Sequence, residues 1–172
     1  MRHALAVAGV HHEAIYAADL EFVMNALTDK AFLAEYAQEV GALESDVAVD
    51  LSNAGIQTRV RMVVPTSGVP QPFKKLVTPT VEIREWRRWH PATDEQRRMG
   101  RVTVDAEVGR RKAHVRGGLE VAALAEGSRF RVGGDITVNL RLLEDQAARL
   151  IAQLVGNVLN QQAKVMARWI EA

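Results

Sequence analysis

The sequence predicts an α+β protein in which a curved antiparallel sheet of about seven strands wraps around a long C-terminal helix, with two short helices after the first strand. Three observations predict it. Apolar residues recur with period two in several stretches between residues 43 and 140, the spacing that turns one face of a strand toward a core. The period becomes helical only over 20–40 and again for about thirty residues from Leu142, where apolar positions fall three and four apart. One sheet with an apolar face then has one long apolar helix to cover it, and a sheet curved around that helix buries both.

In chain order, residues 1–10 are expected to form an N-terminal arm, and HHEAIYAA at 11–18 a short first strand. Asp19 and Thr28-Asp29 stand where side-chain oxygens cap helices, ahead of LEFVMNAL and KAFLAEYAQEV. Phe32, Leu33, Tyr36 and Val40 share one helical face, and Gly41 suits a helix C-terminus. Leu43, Ser45, Val47, Val49 and Leu51 then alternate with Glu44, Asp46 and Asp50. After the turn signal Asn53-Ala54-Gly55, Ile56, Thr58, Val60, Met62 and Val64 alternate with Gln57, Arg59 and Arg61, completing a hairpin. PTSGVPQPFKKLVTP at 65–79 holds four of the five prolines and reads as a long loop, with one helical turn at PFKKL. Residues 80–90 form the next strand and 91–100 a polar loop. Three more alternating strands follow, and two of them carry glycine pairs, Gly117-Gly118 and Gly133-Gly134. Interior strand glycines mark a bulge, a bend or a close backbone approach. In the final helix Ala147, Ile151, Leu154, Val158, Val165 and Trp169 make an apolar stripe.

The totals narrow the function. A chain of 172 residues suits a single domain spanning 1–172 and should bury roughly 70% of its unfolded surface. A net charge of +1 supplies no electrostatic ground for a nucleic-acid partner. With no cysteine, disulfides, thiolate nucleophiles and cysteine metal sites are excluded. The early apolar run stops at His11-His12 and Glu13, short for a signal peptide and far short of a membrane span. The expected compartment is the cytoplasm, and the expected state a monomer or homodimer without cofactor.

At this point the chain resembles the START-like, or SRPBCC, superfamily, the helix-grip proteins of the birch-pollen-allergen (Bet v 1) type. Within it, the chain is similar to an actinobacterial family of uncharacterised domains. The closer resemblance rests on PFKKL after the proline-rich loop, REWRRW ending a charged strand, VRGGLEV, FRVGGDITVNL and the terminal ARWIEA. It implies an apolar cavity between sheet and helix, used across the superfamily for carrying lipids or hormones, for cyclising polyketides, or for binding partners.

No phosphate-binding glycine loop, GxSxG or HExxH pattern is present. His11 and His12 are adjacent on a strand and point to opposite faces, so they make a poor metal fragment, and none is expected. His90 and His114 stand alone and read as surface residues. The irregular strand is VEIREWRRWH. By parity Val81, Ile83, Glu85, Arg87 and Trp89 share one face, with Glu82, Arg84, Trp86, Arg88 and His90 on the other. Either the strand runs beyond the helix and its charges are solvated, or Glu85 and Arg87 pair on the cavity wall and orient a ligand's polar end. A bulge would swap the parity and bring Trp86 inside. A second irregularity is Gln161 and Gln162, which stand where the helix stripe calls for an apolar residue. The candidate ligand-binding residues are therefore Glu85, Arg87, Trp89, Gln161 and Gln162, with Met62 and Val158 as apolar wall. The loops 65–79 and 91–100 are candidate gates. The function expected is binding or carriage of a small, mostly apolar, lipid- or polyketide-like molecule. The alternatives are a cyclase- or hydratase-type enzyme using Glu85 or His90, and a protein-interaction module whose core is filled.

Overall fold

The computed structural model describes residues 6–71, 73–75, 77–108, 111–138 and 144–172. The elements are β1 (Ala6–Tyr16), α1 (Leu20–Leu27), α2 (Lys30–Val40), β2 (Glu44–Ser52), β3 (Gly55–Pro65), a single tight turn of helix at Phe73–Lys75, β4 (Thr80–Trp89), β5 (Arg97–Val108), β6 (Arg111–Ala123), β7 (Ser128–Val138) and α3 (Glu144–Glu171). The strands form one antiparallel sheet in the order β1-β7-β6-β5-β4-β3-β2. The curved sheet, the long C-terminal helix and the short helices after the first strand make this the helix-grip fold.

The two short helices start where side chains can cap them. Asp19 Oδ1 accepts from the Phe22 amide at 2.8 Å, and Asp29 Oδ1 from the amides of Ala31 and Phe32 at 2.7 and 3.1 Å. Gly41 ends α2 at φ +96°, a left-handed conformation that costs a side-chain-bearing residue more than glycine.

Three expectations need correction. The first strand begins at Ala6, not residue 11, because it pairs without interruption with β7 from Ala6↔Val138 to Tyr16↔Ser128. The loop expected at 91–100 is shorter, because Arg97, Arg98 and Met99 join the ladder opposite Ala122, Val121 and Glu120. Leu43 and Leu51 are not on a buried face. They are 65% and 77% exposed, since β2 is an edge strand and only Val47, Ala48 and Val49 are partly covered.

The glycine pairs face each other across β6 and β7, Gly117 opposite Gly134 and Gly118 opposite Gly133, in unbroken register. There is no bulge there. A Cβ on Gly134 would lie 2.1 Å from the Arg116 carbonyl oxygen, and one on Gly117 would lie 2.4 Å from that of Gly133. Gly118 and Gly133 would meet nothing within 4 Å. Close backbone approach therefore requires glycine at two of the four positions.

The core has two parts. The larger is built by α1, α2 and the last turns of α3 against one end of the sheet, and includes Leu27, Phe32, Trp89, Val121, Phe130, Val165 and Met166. The smaller gathers Val10, Ala113, Val115, Ile136, Ala147 and Ala148 near the start of α3, with Phe73 packed against it. Phe32 meets Trp169 edge to face at 5.2 Å, and Trp169 Nε1 donates to Glu35 at 2.8 Å. These contacts dock the end of α3 on α2. No helix among the described residues is long and apolar enough to cross a membrane.

Candidate functional site

Between the two core clusters lies a cavity of about 460 Å³, within the range of small-molecule sites. Its walls are Met62 and Val64 of β3, the inward face of β4, Val102, Val104 and Ala106 of β5, residues of β6, and Ile151, Leu154, Val155 and Val158 of α3. Phe73, Val69 and Val77 from the proline-rich loop add to the lining. The core in this half of the molecule is therefore not filled by side chains.

The register settles the irregular strand. Pairing of β4 with β3 and with β5 is continuous, so parity holds along its length. Val81, Glu85, Arg87 and Trp89 are buried with Ile83 beside them, whereas Arg84, Arg88 and His90 are exposed. Glu85 is 6% exposed and Arg87 1%. Arg87 Nε lies 2.8 Å from Glu85 Oε1, but its N–H is not aimed at that oxygen. The two form an ion pair without an aligned hydrogen bond. Glu85 Oε1 and Arg87 Nε and Nη1 are buried with no hydrogen-bond partner among the described residues. The other carboxylate oxygen accepts from the Tyr36 hydroxyl at 3.3 Å, and the guanidinium sits 5.8 Å over the Tyr36 ring.

These surroundings act on the titrating groups. Burial, and then the Glu85 charge, raise the Tyr36 phenol far above its ordinary range, so it remains a donor. Burial is the strongest influence on Arg87 and works to lower it, but Glu85 together with the Tyr36 and Tyr16 phenols outweighs it and the guanidinium is raised. Burial also raises the Tyr16 phenol, against opposing influences of the neighbouring Gln162 side chain and the charge of Arg87. Tyr16 Oη, both amide atoms of Gln162, Thr58 Oγ1 and Trp89 Nε1 are buried without partners among the described residues.

Of the seven residues singled out from the sequence, Glu85, Arg87, Met62, Val158 and Gln161 line the cavity. Trp89 and Gln162 do not: both are buried in the layer behind it, Trp89 among the core residues and Gln162 near Tyr16. Of the two candidate gates, the 65–79 loop contributes to the lining and 91–100 does not. Sequence reasoning places Tyr36 only as a core position of α2. The available signal is its hydroxyl, which a buried tyrosine usually places on a partner. His12 is half-buried and His11 exposed, on opposite faces of β1. His114 Nδ1 contacts Asp105 Oδ1 on the outer face. No group of three or more His, Asp or Glu among the described residues is placed to hold a metal ion.

A family model described as "Protein of unknown function (DUF2505)" matches residues 11–170. No curated protein matches the chain. Among solved structures, one from Thermus thermophilus is similar at TM-score 0.61 and 18% identity, covering 95% of this chain and 97% of its own. An uncharacterised protein from Rhizobium leguminosarum is similar at 0.61 and 14%, covering 96% and 97%. Truncated norcoclaurine synthase from Thalictrum flavum is similar at 0.57 and 13%, covering 99% and 97%. At these identities the likeness is one of fold.

Proposed function

The chain belongs to the family described as protein of unknown function, DUF2505, and on that footing we propose that it binds and carries a small, mostly apolar molecule in the cavity between sheet and α3. The observation that carries this reading is the void itself. About 460 Å³ is walled mainly by apolar side chains and holds one compensated charge pair, Glu85 with Arg87, in its lining. An apolar wall gives affinity through burial, and a few fixed polar groups give orientation. Lipid- and polyketide-like molecules have the matching make-up. Met62 and Val158 act as wall, Glu85, Arg87 and Gln161 as polar contacts, and Trp89 and Gln162 as the layer that supports them. The 65–79 loop serves as the gate, since a loop at a rim moves more cheaply than a sheet.

A second reading, an enzyme of the cyclase or hydratase type, is favoured by one contact, the Tyr36 hydroxyl on Glu85 inside the cavity. A solved structure of norcoclaurine synthase is described in complex with dopamine and hydroxybenzaldehyde, so this fold houses a synthase elsewhere. Carriage is preferred because Glu85 is engaged by Arg87 and Tyr36, which compete with any proton it would take from a substrate.

Native mass spectrometry of protein purified without detergent tests the proposal. A co-purifying small molecule, or uptake of one from a lipid extract, is the expected result. Repeated failure to take up any component from several extracts, together with no binding of the neutral fluorophore 1-aminoanthracene, would remove it.

A further inference from the structure

From the charges on the cavity wall we infer that the ligand places an uncharged group that both donates and accepts hydrogen bonds, a hydroxyl, carboxamide or undissociated acid, against Glu85 and Arg87. This rests on the ligand-binding reading above and narrows it to a chemical class. Three charged residues are found in the described lining, Glu85, Arg87 and Lys112. Lys112 is paired with Glu107 at 3.6 Å, and both side chains are more than half exposed. Lys112 is also level with Glu82 through the β6-β5-β4 register, three residues from Glu85 and five from Arg87, roughly 10 and 17 Å along a strand. Among the described lining residues, the inner end is therefore neutral as a pair and has no third charge beside it.

The pair leaves unused bonding capacity of both kinds. Arg87 Nε and Nη1 are donors without partners, and Glu85 Oε1 is an acceptor without an aligned one. A group with a donor and an acceptor side by side meets both. A carboxylate would satisfy the guanidinium but add a net negative charge beside Glu85. An ammonium would do the reverse beside Arg87. Each would bury an uncompensated charge in a mainly apolar chamber, which is among the most unfavourable changes a site can undergo. The Tyr36 hydroxyl is already donated to the second carboxylate oxygen and carries no charge that would offset an added anion.

The test uses one chain length with four ends: decan-1-ol, decanamide, decanoate and decylammonium, each displacing 1-aminoanthracene from the whole protein at about pH 8, where the acid is ionised. The alcohol and the amide should bind roughly tenfold or more tightly than either ion. Decanoic acid should gain affinity as pH falls toward its own ionisation, while decan-1-ol should not. Glu85→Gln leaves the inner end cationic and should reverse the order in favour of decanoate; Arg87→Met should reverse it toward decylammonium. The wild-type pH series stands even if a variant fails to fold. Equal affinities for all four ends, or tightest binding of decanoate by the wild type, would overturn the inference while leaving a cavity binder. No displacement and no binding of 1-aminoanthracene would overturn the cavity reading itself.

Discussion

At the scale of single residues, the pair Glu85–Arg87 is held by mutual need. Removing either partner strands a charge that is almost fully buried, at an expected cost of about 3–5 kcal/mol. Replacing both, as Glu85→Leu with Arg87→Met, should cost far less than the sum of the single changes. Urea denaturation of the three variants gives the coupling, and strict additivity would show that the two do not act together. The glycines offer a cleaner contrast. Gly134→Ala and Gly117→Ala drive a methyl into backbone at 2.1 and 2.4 Å and should destabilise by about 1–3 kcal/mol or more. Gly118→Ala and Gly133→Ala enter open space and should stay within about 0.5 kcal/mol. The site was only half legible in the sequence. The parity of VEIREWRRWH is visible in the letters, but its meaning depends on an unbroken register, and a single bulge anywhere in β4 would have reversed it. Tyr36 stayed hidden because its partner lies on another element, far along the chain.

Elements were easier to read than residues, because their signals are local. Asp19, Asp29 and Gly41 announce helix ends through their own side-chain and backbone chemistry, and Asp29→Ala should cost about 1 kcal/mol by thermal melting. The errors fell where pairing overrides composition. Arg97, Arg98 and Met99 have no strand-like pattern, yet β6 offers them partners and they extend the sheet. Leu43 and Leu51 alternate correctly, yet nothing covers the ends of an edge strand. The turn at Phe73–Lys75 is the element closest to function, since Phe73 both lines the cavity and packs on the smaller core cluster. Phe73→Ala should loosen that packing. The expected outcome is a several-fold faster release of 1-aminoanthracene in stopped-flow fluorescence, with a smaller change in its entry rate. Unchanged release would mean that the loop is wall and not gate.

For the whole molecule, stability should depend on pH through His12. Burial, and then His11, lower its ionisation below the ordinary value of 6.5, so the unfolded chain binds the proton more readily than the folded one. The contribution is complete above that ordinary value and is lost as pH falls through it toward the depressed folded value. Urea midpoints should begin to drop just below neutrality, and His12→Gln should flatten that part of the curve. Glu13, Glu35 and Glu82 are lowered mainly by hydrogen bonds from Arg131, Trp169 and Arg61 respectively. Their losses come at lower pH, below the ordinary carboxylate value of 4.5. Fold class was legible at this scale because one sheet and one long helix admit few arrangements; strand order was not, because pairing partners leave no mark on the period of a sequence. That order has a kinetic side. The first strand finds its neighbour only when β7 exists, with Ala6 opposite Val138, and the helix that roofs the chamber follows later still. Sheet closure must therefore bridge most of the chain, which makes folding slow for the protein's size. During synthesis the concave apolar surface stands bare until the last helix emerges, an interval in which chaperones or aggregation compete for it.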